Sequence, residues 1–168
     1  MTVKNTTERI GIGKKTLTSK SKTCIIHSMK NRKAQQIRLI QDVARFVLNR
    51  YNLDPFVDVE LCKFSDSDDL AFVRKDDDDL FVIEVNKQFL ATATTAELVT
   101  TICHEAVHMK QHILDGLSSD SEVWYYRGEV FVDDNYWFFP WEVEARGMQD
   151  AFAWEYLKEN NYEHEVAA

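Results

Sequence analysis

Long apolar runs are missing from this sequence, and none approaches the roughly 18 residues that a membrane-spanning helix needs. The N-terminus lacks the apolar block that follows the charged start of a signal peptide. Cysteine is scarce too. Cys24, Cys62 and Cys103 are far apart, odd in number and form no CxxC pair, which argues against a disulfide framework and favours a reducing compartment. We therefore expect a cytoplasmic protein without a membrane partner, and we expect Cys103 to fill the core.

Basic residues are scarce beyond the first fifth of the chain. The net charge is -8, yet residues 1–33 hold nine Lys or Arg against the single acid Glu8, or +8, which leaves -16 for the remainder. An acidic body is not expected to bind nucleic acid, although the basic leader is a candidate contact for phosphate groups. With 45% apolar and 12% aromatic residues, we expect one domain at 33–168 after a loosely ordered leader at 1–32.

Three segments show helical patterns. Apolar residues recur at helical spacing over residues 33–51 and predict a first amphipathic helix. A second helix is predicted at about 95–115, where Thr94 and Glu97 form a capping box. A proline in its first turn opens a last predicted helix at about 140–160.

Short β-prone runs fill most of the remaining chain. Leu80–Val85 and two preceding runs, Phe56–Phe64 and Leu70–Arg74, are separated by polar turn segments, so consecutive antiparallel strands are the simple interpretation. Residues 123–132 predict one or two further strands, and residues 24–26 a short one. The acidic turns lack the ligand spacing of a calcium-binding EF-hand loop. Together the elements predict an α+β fold, a small, mostly antiparallel sheet packed with an N-terminal, a central and a C-terminal helix.

His104, Glu105 and His108 form an H-E-x-x-H motif inside the second predicted helix. Positions four apart differ by about 40° around a helix axis, so both imidazoles leave the same face and can bind one zinc ion. Glu105 can reach a metal-activated water without being a ligand, and is the expected general base. Manganese, cobalt or iron would suit the same donors. The alternative is a surface helix with an unrelated histidine pair.

A catalytic zinc needs a third protein ligand besides the two histidines. His112 continues their face but lies a further turn along the helix, so a place at the rim of the site is expected for it. Glu142 and Glu144, in the first turns of the last helix, are the candidates. A carboxylate at a helix N-terminus can also serve the helix dipole alone.

The two motifs together resemble those of the gluzincins, the thermolysin-like group, which pair HExxH with a glutamate from a later helix. Several small intracellular members carry that glutamate as E-x-x-A, which residues 142–145 match with Glu142 as the ligand. Residues 140–146 are also similar to a segment of uncharacterised metallopeptidase-like proteins from phages and bacteria. Many such families follow the alanine with an aspartate that orients a histidine ligand, but this chain has Arg146. Another acid or a backbone carbonyl must then orient the histidine.

The resemblance implies a minimal zincin-like fold and a cytoplasmic zinc metallopeptidase of a bacterium or phage-infected cell. His104, His108 and Glu142 would hold zinc, and Glu105 would act as general base in cleaving an exposed or unfolded peptide segment. By fold analogy, Leu80–Val85 would be the edge strand that binds the peptide. Three tyrosines are candidates for stabilising the oxyanion: Tyr125, Tyr126 and Tyr136. The alternative function is that of a zinc-stabilised binding or regulatory protein with little or no turnover.

Overall fold

The structure is a computed structural model that describes four stretches of the chain: residues 19–64, 69–77, 80–132 and 135–162. The chain divides into two compact units, residues 1–35 and 36–168. Of the leader expected at 1–32, the first 18 residues lie outside the described part. None of the described helices is both long enough and apolar enough to cross a membrane.

Within the described residues the fold is mixed α and β, with four helices and two small sheets, which confirms the predicted mixture. The helices are α1 (Ser19–Asn49), α2 (Lys87–Thr92), α3 (Thr95–Leu114) and α4 (Pro140–Glu159), with a 3₁₀ turn at Tyr136–Phe138. The strands are β1 (Phe56–Cys62), β2 (Ala71–Asp77), β3 (Leu80–Asn86), β4 (Ser118–Asp120), β5 (Val123–Tyr126) and β6 (Glu129–Phe131).

Helix α1 is longer than its apolar pattern predicts. It begins at Ser19 instead of Lys33, so the short strand predicted at residues 24–26 is wrong and this segment is helical. Residues 19–32 contain no glycine or proline that would stop a helix, but they also show no sustained apolar stripe. Periodicity detects only those helices that bury one face. The part of α1 from Ile40 to Leu48 does bury such a face.

The first sheet has the strand order β1-β3-β2, which corrects the prediction of consecutive antiparallel strands. Strand β1 pairs with β3 in parallel, and β2 pairs with β3 in the antiparallel direction. The predicted edge strand Leu80–Val85 is therefore the central strand. Phe81, Val82 and Ile83 are buried in succession, a pattern typical of a strand covered on both faces. The edge next to α3 belongs to β2.

The second sheet, with the order β4-β5-β6, is antiparallel and packs on the start of α4. The centre of this contact is Trp141 of α4, which is fully buried. The ring centroid of Phe139 lies 4.5 Å from that of Trp141, and the centroid of Phe131 lies 5.3 Å from it. The main core lies between α1, the first sheet, α3 and α4, and Cys103 is buried in it as predicted. The main core and the aromatic group around Trp141 both include residues of α4, so this helix is held by two sets of contacts.

The predicted ends of α3 are confirmed. The Thr94 hydroxyl accepts a hydrogen bond from the Glu97 N–H at 3.2 Å, and the Glu97 carboxylate accepts one from the Thr94 N–H at 2.8 Å. At the other end Gly116 has a φ of +68°, a conformation that suits glycine and lets the chain leave the helix. Helix α4 likewise spans Pro140–Glu159, close to its predicted range.

Replacing Thr94 with alanine is expected to lower the free energy of unfolding by about 1 kcal/mol, because the first turn of α3 loses its side-chain cap. Thr94→Ser is the matched control, since it keeps the hydroxyl and should stay close to the wild type. Urea denaturation followed by circular dichroism measures both. Equal stabilities for Thr94→Ala and Thr94→Ser would contradict the cap's contribution.

Candidate metal centre

Three side chains from α3 and α4 converge on one point. His104 and His108 lie one turn apart on α3, and their Nε2 atoms are 3.0 Å apart. Glu142, in the first turn of α4, places Oε1 3.2 Å from His108 Nε2 and Oε2 3.5 Å from His104 Nε2. The structure thus brings together the three residues named from the sequence as metal ligands.

The spacing of these three donors fits a single metal ion. Bonds of about 2.0–2.1 Å around a tetrahedral zinc place its ligand atoms about 3.3 Å apart. The observed separations of 3.0, 3.2 and 3.5 Å lie on both sides of that distance. Two imidazole nitrogens and a carboxylate oxygen are donors that zinc and several other divalent ions accept. The cluster can therefore hold a divalent cation.

Two glutamines orient the histidine rings. Gln149 places its Oε1 3.0 Å from His104 Nδ1, and Gln111 places its Oε1 2.7 Å from His108 Nδ1. The Gln111 amide is itself fixed, because its Nε2 donates to the Trp141 carbonyl at 2.9 Å. An amide oxygen only accepts hydrogen bonds, so each neutral ring carries its proton on Nδ1 and keeps the Nε2 lone pair for the centre.

This arrangement favours positive charge at the cluster. Two lone pairs and a carboxylate face one another, which is repulsive unless a proton or a metal ion lies among them. Glu142 is 3% exposed. Burial alone would raise its pKa, but hydrogen bonds from His104 and His108, which these rings donate when Nε2 is also protonated, outweigh burial and lower the pKa. Burial would lower the pKa of His108. The carboxylates of Glu142 and Glu105 have the larger and opposite effect, so the pKa of His108 is raised.

Glu105 lies beside the cluster and is not one of its three members. It is 5% exposed, and its carboxylate accepts a hydrogen bond from the backbone N–H of Val73 in β2. Burial raises its pKa to about 7, even though His108 and His104 act to lower it. A carboxyl group that is held in place and titrates near neutrality is suited to accepting and returning a proton.

A cleft of about 520 Å³ opens over the cluster and Glu105. One wall comes from β2, through Ala71, Phe72 and Val73, and the opposite wall is aromatic, with Trp124 and Trp137 among its residues. The described residues that line it include no Lys or Arg. The cleft therefore offers apolar walls around a centre whose polar groups are the histidines and carboxylates.

Glu144, the alternative third ligand, lies in a different group. Its carboxylate accepts hydrogen bonds from Lys110 at 2.9 Å and from the Tyr126 hydroxyl, and it is 3.3 Å from the Arg127 guanidinium. Gln111 also donates to it at 3.1 Å. These contacts occupy Glu144, which leaves Glu142 as the carboxylate that reaches the histidines.

Of the three candidate tyrosines, the structure places only Tyr136 at the cluster. A hydrogen bond joins its hydroxyl to Glu142 and, after burial, is the main reason that the pKa of Tyr136 is raised. Tyr126 is committed to Glu144. Tyr125 is 41% exposed on the outer face of the second sheet.

His112 and Arg146 support the rim of the site. His112 donates from Nδ1 to the Leu117 carbonyl at 2.6 Å and lines the cleft, as expected for a residue one turn beyond His108. Arg146 donates to the Glu142 carbonyl at 3.1 Å, and its guanidinium lies 4.8 Å from the Trp137 ring centroid. Arg146, which stands where many families with similar motifs carry an aspartate, therefore contacts an aromatic residue of the cleft.

Sequence reasoning missed four contributors to this site: Gln111, Gln149, Val73 and Trp141. It expected an acid or a backbone carbonyl to orient the histidines, and the structure has side-chain amides instead. Gln111 could have been found, because it lies three residues after His108 on the same helix face. Gln149 comes from another helix and leaves no local signal.

The geometry thus defines a candidate metal centre of two histidines and one glutamate, with a buried carboxyl group and an open cleft beside it. Comparison of the chain with protein-family models, with curated proteins and with solved structures gave no match.

Gln149→Ala is expected to weaken zinc binding by about 10-fold to 100-fold, because His104 loses the partner that fixes its tautomer and ring orientation. Gln88→Ala, at an exposed glutamine of α2, is the control and should bind zinc as the wild type does. Competition with a chromophoric chelator measures both affinities. Equal affinities would show that Gln149 does not orient His104.

Glu142→Gln is expected to weaken zinc binding by at least about 100-fold, because a neutral amide replaces the one anionic donor of the cluster. Glu144→Gln is its matched partner, two residues away. It should keep zinc but lower the melting temperature, since Lys110 and Arg127 lose one of their two carboxylate partners and keep only Asp115. Metal content after gel filtration and thermal melts separate the two variants. The reverse pattern would make Glu144 the ligand.

Proposed function

We propose that the chain is a zinc-dependent metallopeptidase of the gluzincin type with a zincin-like fold. In this proposal His104, His108 and Glu142 hold zinc, and Glu105 is the general base. The observation that carries it is the convergence of three donors beside a buried carboxyl group that is not itself a donor. When bound, zinc supplies a Lewis acid that polarises a carbonyl group and lowers the pKa of water towards neutrality.

The chain's own residues then have distinct roles in hydrolysis. Gln111 and Gln149 hold the imidazoles so that both Nε2 atoms face the cluster. The Val73 N–H holds the Glu105 carboxylate beside the cluster. From there Glu105 accepts the proton of the attacking water and returns it to the nitrogen of the leaving amine.

Tyr136 and Trp141 are the donors best placed to stabilise negative charge on the substrate oxygen. The Tyr136 hydroxyl lies at Glu142, and the buried Trp141 indole Nε1–H lies close to that hydroxyl. An oxygen that becomes anionic in the transition state would accept hydrogen bonds from these donors.

The substrate in this proposal is an exposed or unfolded peptide segment that pairs with β2. Strand β2 borders the cleft, and among the described residues β3 is the only strand that pairs with it. It therefore takes the role that fold analogy gave to Leu80–Val85. Backbone pairing holds an extended peptide without selecting its side chains.

A specific observation also favours the alternative, a zinc-stabilised binding protein with little turnover. Three large apolar side chains, close in the sequence to residues that line the cleft, are mostly exposed: Val132 at 73%, Trp137 at 66% and Phe138 at 76%. Exposed apolar groups of this kind are common where another protein binds. In that case the same three donors would stabilise the fold around the metal.

Glu105→Gln separates the two functions. The variant should keep its zinc, because Glu105 is not in the donor set, and peptide cleavage should fall by about 100-fold to 10,000-fold with the loss of the general base. Glu129→Gln, at an exposed glutamate of β6, is the control. Metal analysis and mass spectrometry of a digested peptide library measure the two properties.

Two outcomes count against the peptidase. Zinc-loaded wild type that cleaves no peptide in the library would favour the binding protein. Equal cleavage by the wild type and Glu105→Gln would assign the activity to a contaminant or to another site.

A further inference from the structure

Trp137 is the most exposed of the aromatic residues that line the cleft. It belongs to the 3₁₀ turn Tyr136–Phe138, and 66% of its surface is accessible to solvent. A side chain with so little burial gains little from the hydrophobic effect. Ordering it at one place also costs conformational entropy. Polar contacts must therefore supply most of what keeps this indole at the cleft.

Arg146 of α4 supplies such contacts. Its Nη2 donates a hydrogen bond to the Trp137 carbonyl, and the guanidinium carbon lies 4.8 Å from the centroid of the Trp137 ring. Its Nε donates to the Glu142 carbonyl at 3.1 Å, and Nη2 lies 3.9 Å from Glu142 Oε2. One guanidinium thus joins both the backbone and the ring of Trp137 to the first turn of α4.

The neighbouring tyrosine, Tyr136, is held by other contacts. Its ring centroid lies 5.9 Å from that of Trp124 and 5.9 Å from that of Phe139. Its hydroxyl is hydrogen-bonded to the carboxylate of the candidate metal cluster. Loss of Arg146 should therefore release Trp137 and leave Tyr136 in place.

Helix α4 itself gains little from Arg146. The guanidinium reaches back along the helix to the carbonyl of Glu142, in the first turn. A cation near the N-terminus of a helix is disfavoured, because the helix dipole places partial positive charge there. What Arg146 holds therefore explains its position better than the stability of α4 does.

We propose that Arg146 is a positioning residue that holds Trp137 as a wall of the cleft, so that the indole contacts a bound substrate. Arg146 is not among the described residues that line the cleft, so it acts through Trp137. The hold on Trp137 requires only the contacts above. Its consequence for substrate binding rests on the proposed peptidase function.

The hold is tested by fluorine NMR of protein grown with fluorotryptophan, which gives one resonance for each of the four tryptophans. Trp137→Phe identifies the resonance of Trp137. In Arg146→Met we expect that resonance to narrow and to move towards the shift of free fluorotryptophan, because the ring loses its cation and the carbonyl its donor. Arg146→Lys should keep part of the wild-type shift, since an ammonium group can still donate to the carbonyl. An unchanged resonance in Arg146→Met would overturn the proposal.

Lys158→Met is the matched control for the loss of a cation beside an indole. The Nζ of Lys158 lies 4.7 Å from the Trp154 ring centroid, near the end of the same helix. This variant should shift the Trp154 resonance and leave that of Trp137 unchanged. Arg146→Gln is a second variant, in case Arg146→Met does not fold. A change at the buried Trp141 as large as that at Trp137 would show a general loosening of α4 and would also overturn the proposal.

Steady-state kinetics of the zinc-loaded protein test the consequence for substrate. Arg146→Met is expected to raise KM about tenfold and to change kcat by less than about twofold, because a wall that only binds substrate stabilises the ground state and the transition state equally. Arg146→Lys should lie between Arg146→Met and the wild type. Metal analysis checks that all three carry zinc. A lower kcat at unchanged KM would show that Arg146 acts on the chemical step and would contradict the wall.

The two measurements separate this inference from the peptidase function. A shifted Trp137 resonance in Arg146→Met, together with a wild type that cleaves no peptide, supports the hold on Trp137 and overturns the peptidase. Cleavage with the same KM and kcat in the wild type and Arg146→Met keeps the peptidase and overturns the role of Trp137 as a wall for substrate.

Discussion

The site depends on a repulsion that the fold imposes. Packing of α3 against α4 holds two imidazole nitrogens and a carboxylate within 3.5 Å of one another, and the glutamines behind the rings turn both Nε2 lone pairs inward. His108 and Glu142 cannot turn away easily, because both are buried. A cation at the centre would convert the repulsion into attraction, so the same packing that stabilises the helices also makes the cluster a candidate metal site.

Helix geometry also decides which glutamate joins the cluster. Positions 142 and 144 lie about 200° apart around a helix axis, so only one of the two can face the histidines. The other carboxylate, Glu144, neutralises Lys110, which is only 7% exposed. Gln111 contacts both groups, through its oxygen to His108 and through its nitrogen to Glu144. The candidate ligand cluster and the ion pair of Glu144 with Lys110 are therefore neighbours that the Gln111 amide joins.

Local patterns predicted most of what is local in this molecule. The capping box at Thr94, the proline that opens α4 and the spacing of His104 and His108 depend on residues within one turn of each other. The strand order of the first sheet could not be predicted from local patterns, because β1 and β3, which pair in parallel, are not consecutive in the sequence. Gln149 was missed for the same reason, since 45 residues separate it from His104. The start of α1 was missed because no sustained apolar stripe in the sequence marks it.

The positions of the tryptophans have a further consequence. Three of the four, Trp124, Trp137 and Trp141, line the cleft, and Trp141 is directly next to Glu142 in the chain. Indole emission responds to nearby charge, to hydration and to quenching ions. Three of the four indole groups therefore surround one cavity, so their emission is a built-in optical reporter of whatever occupies it.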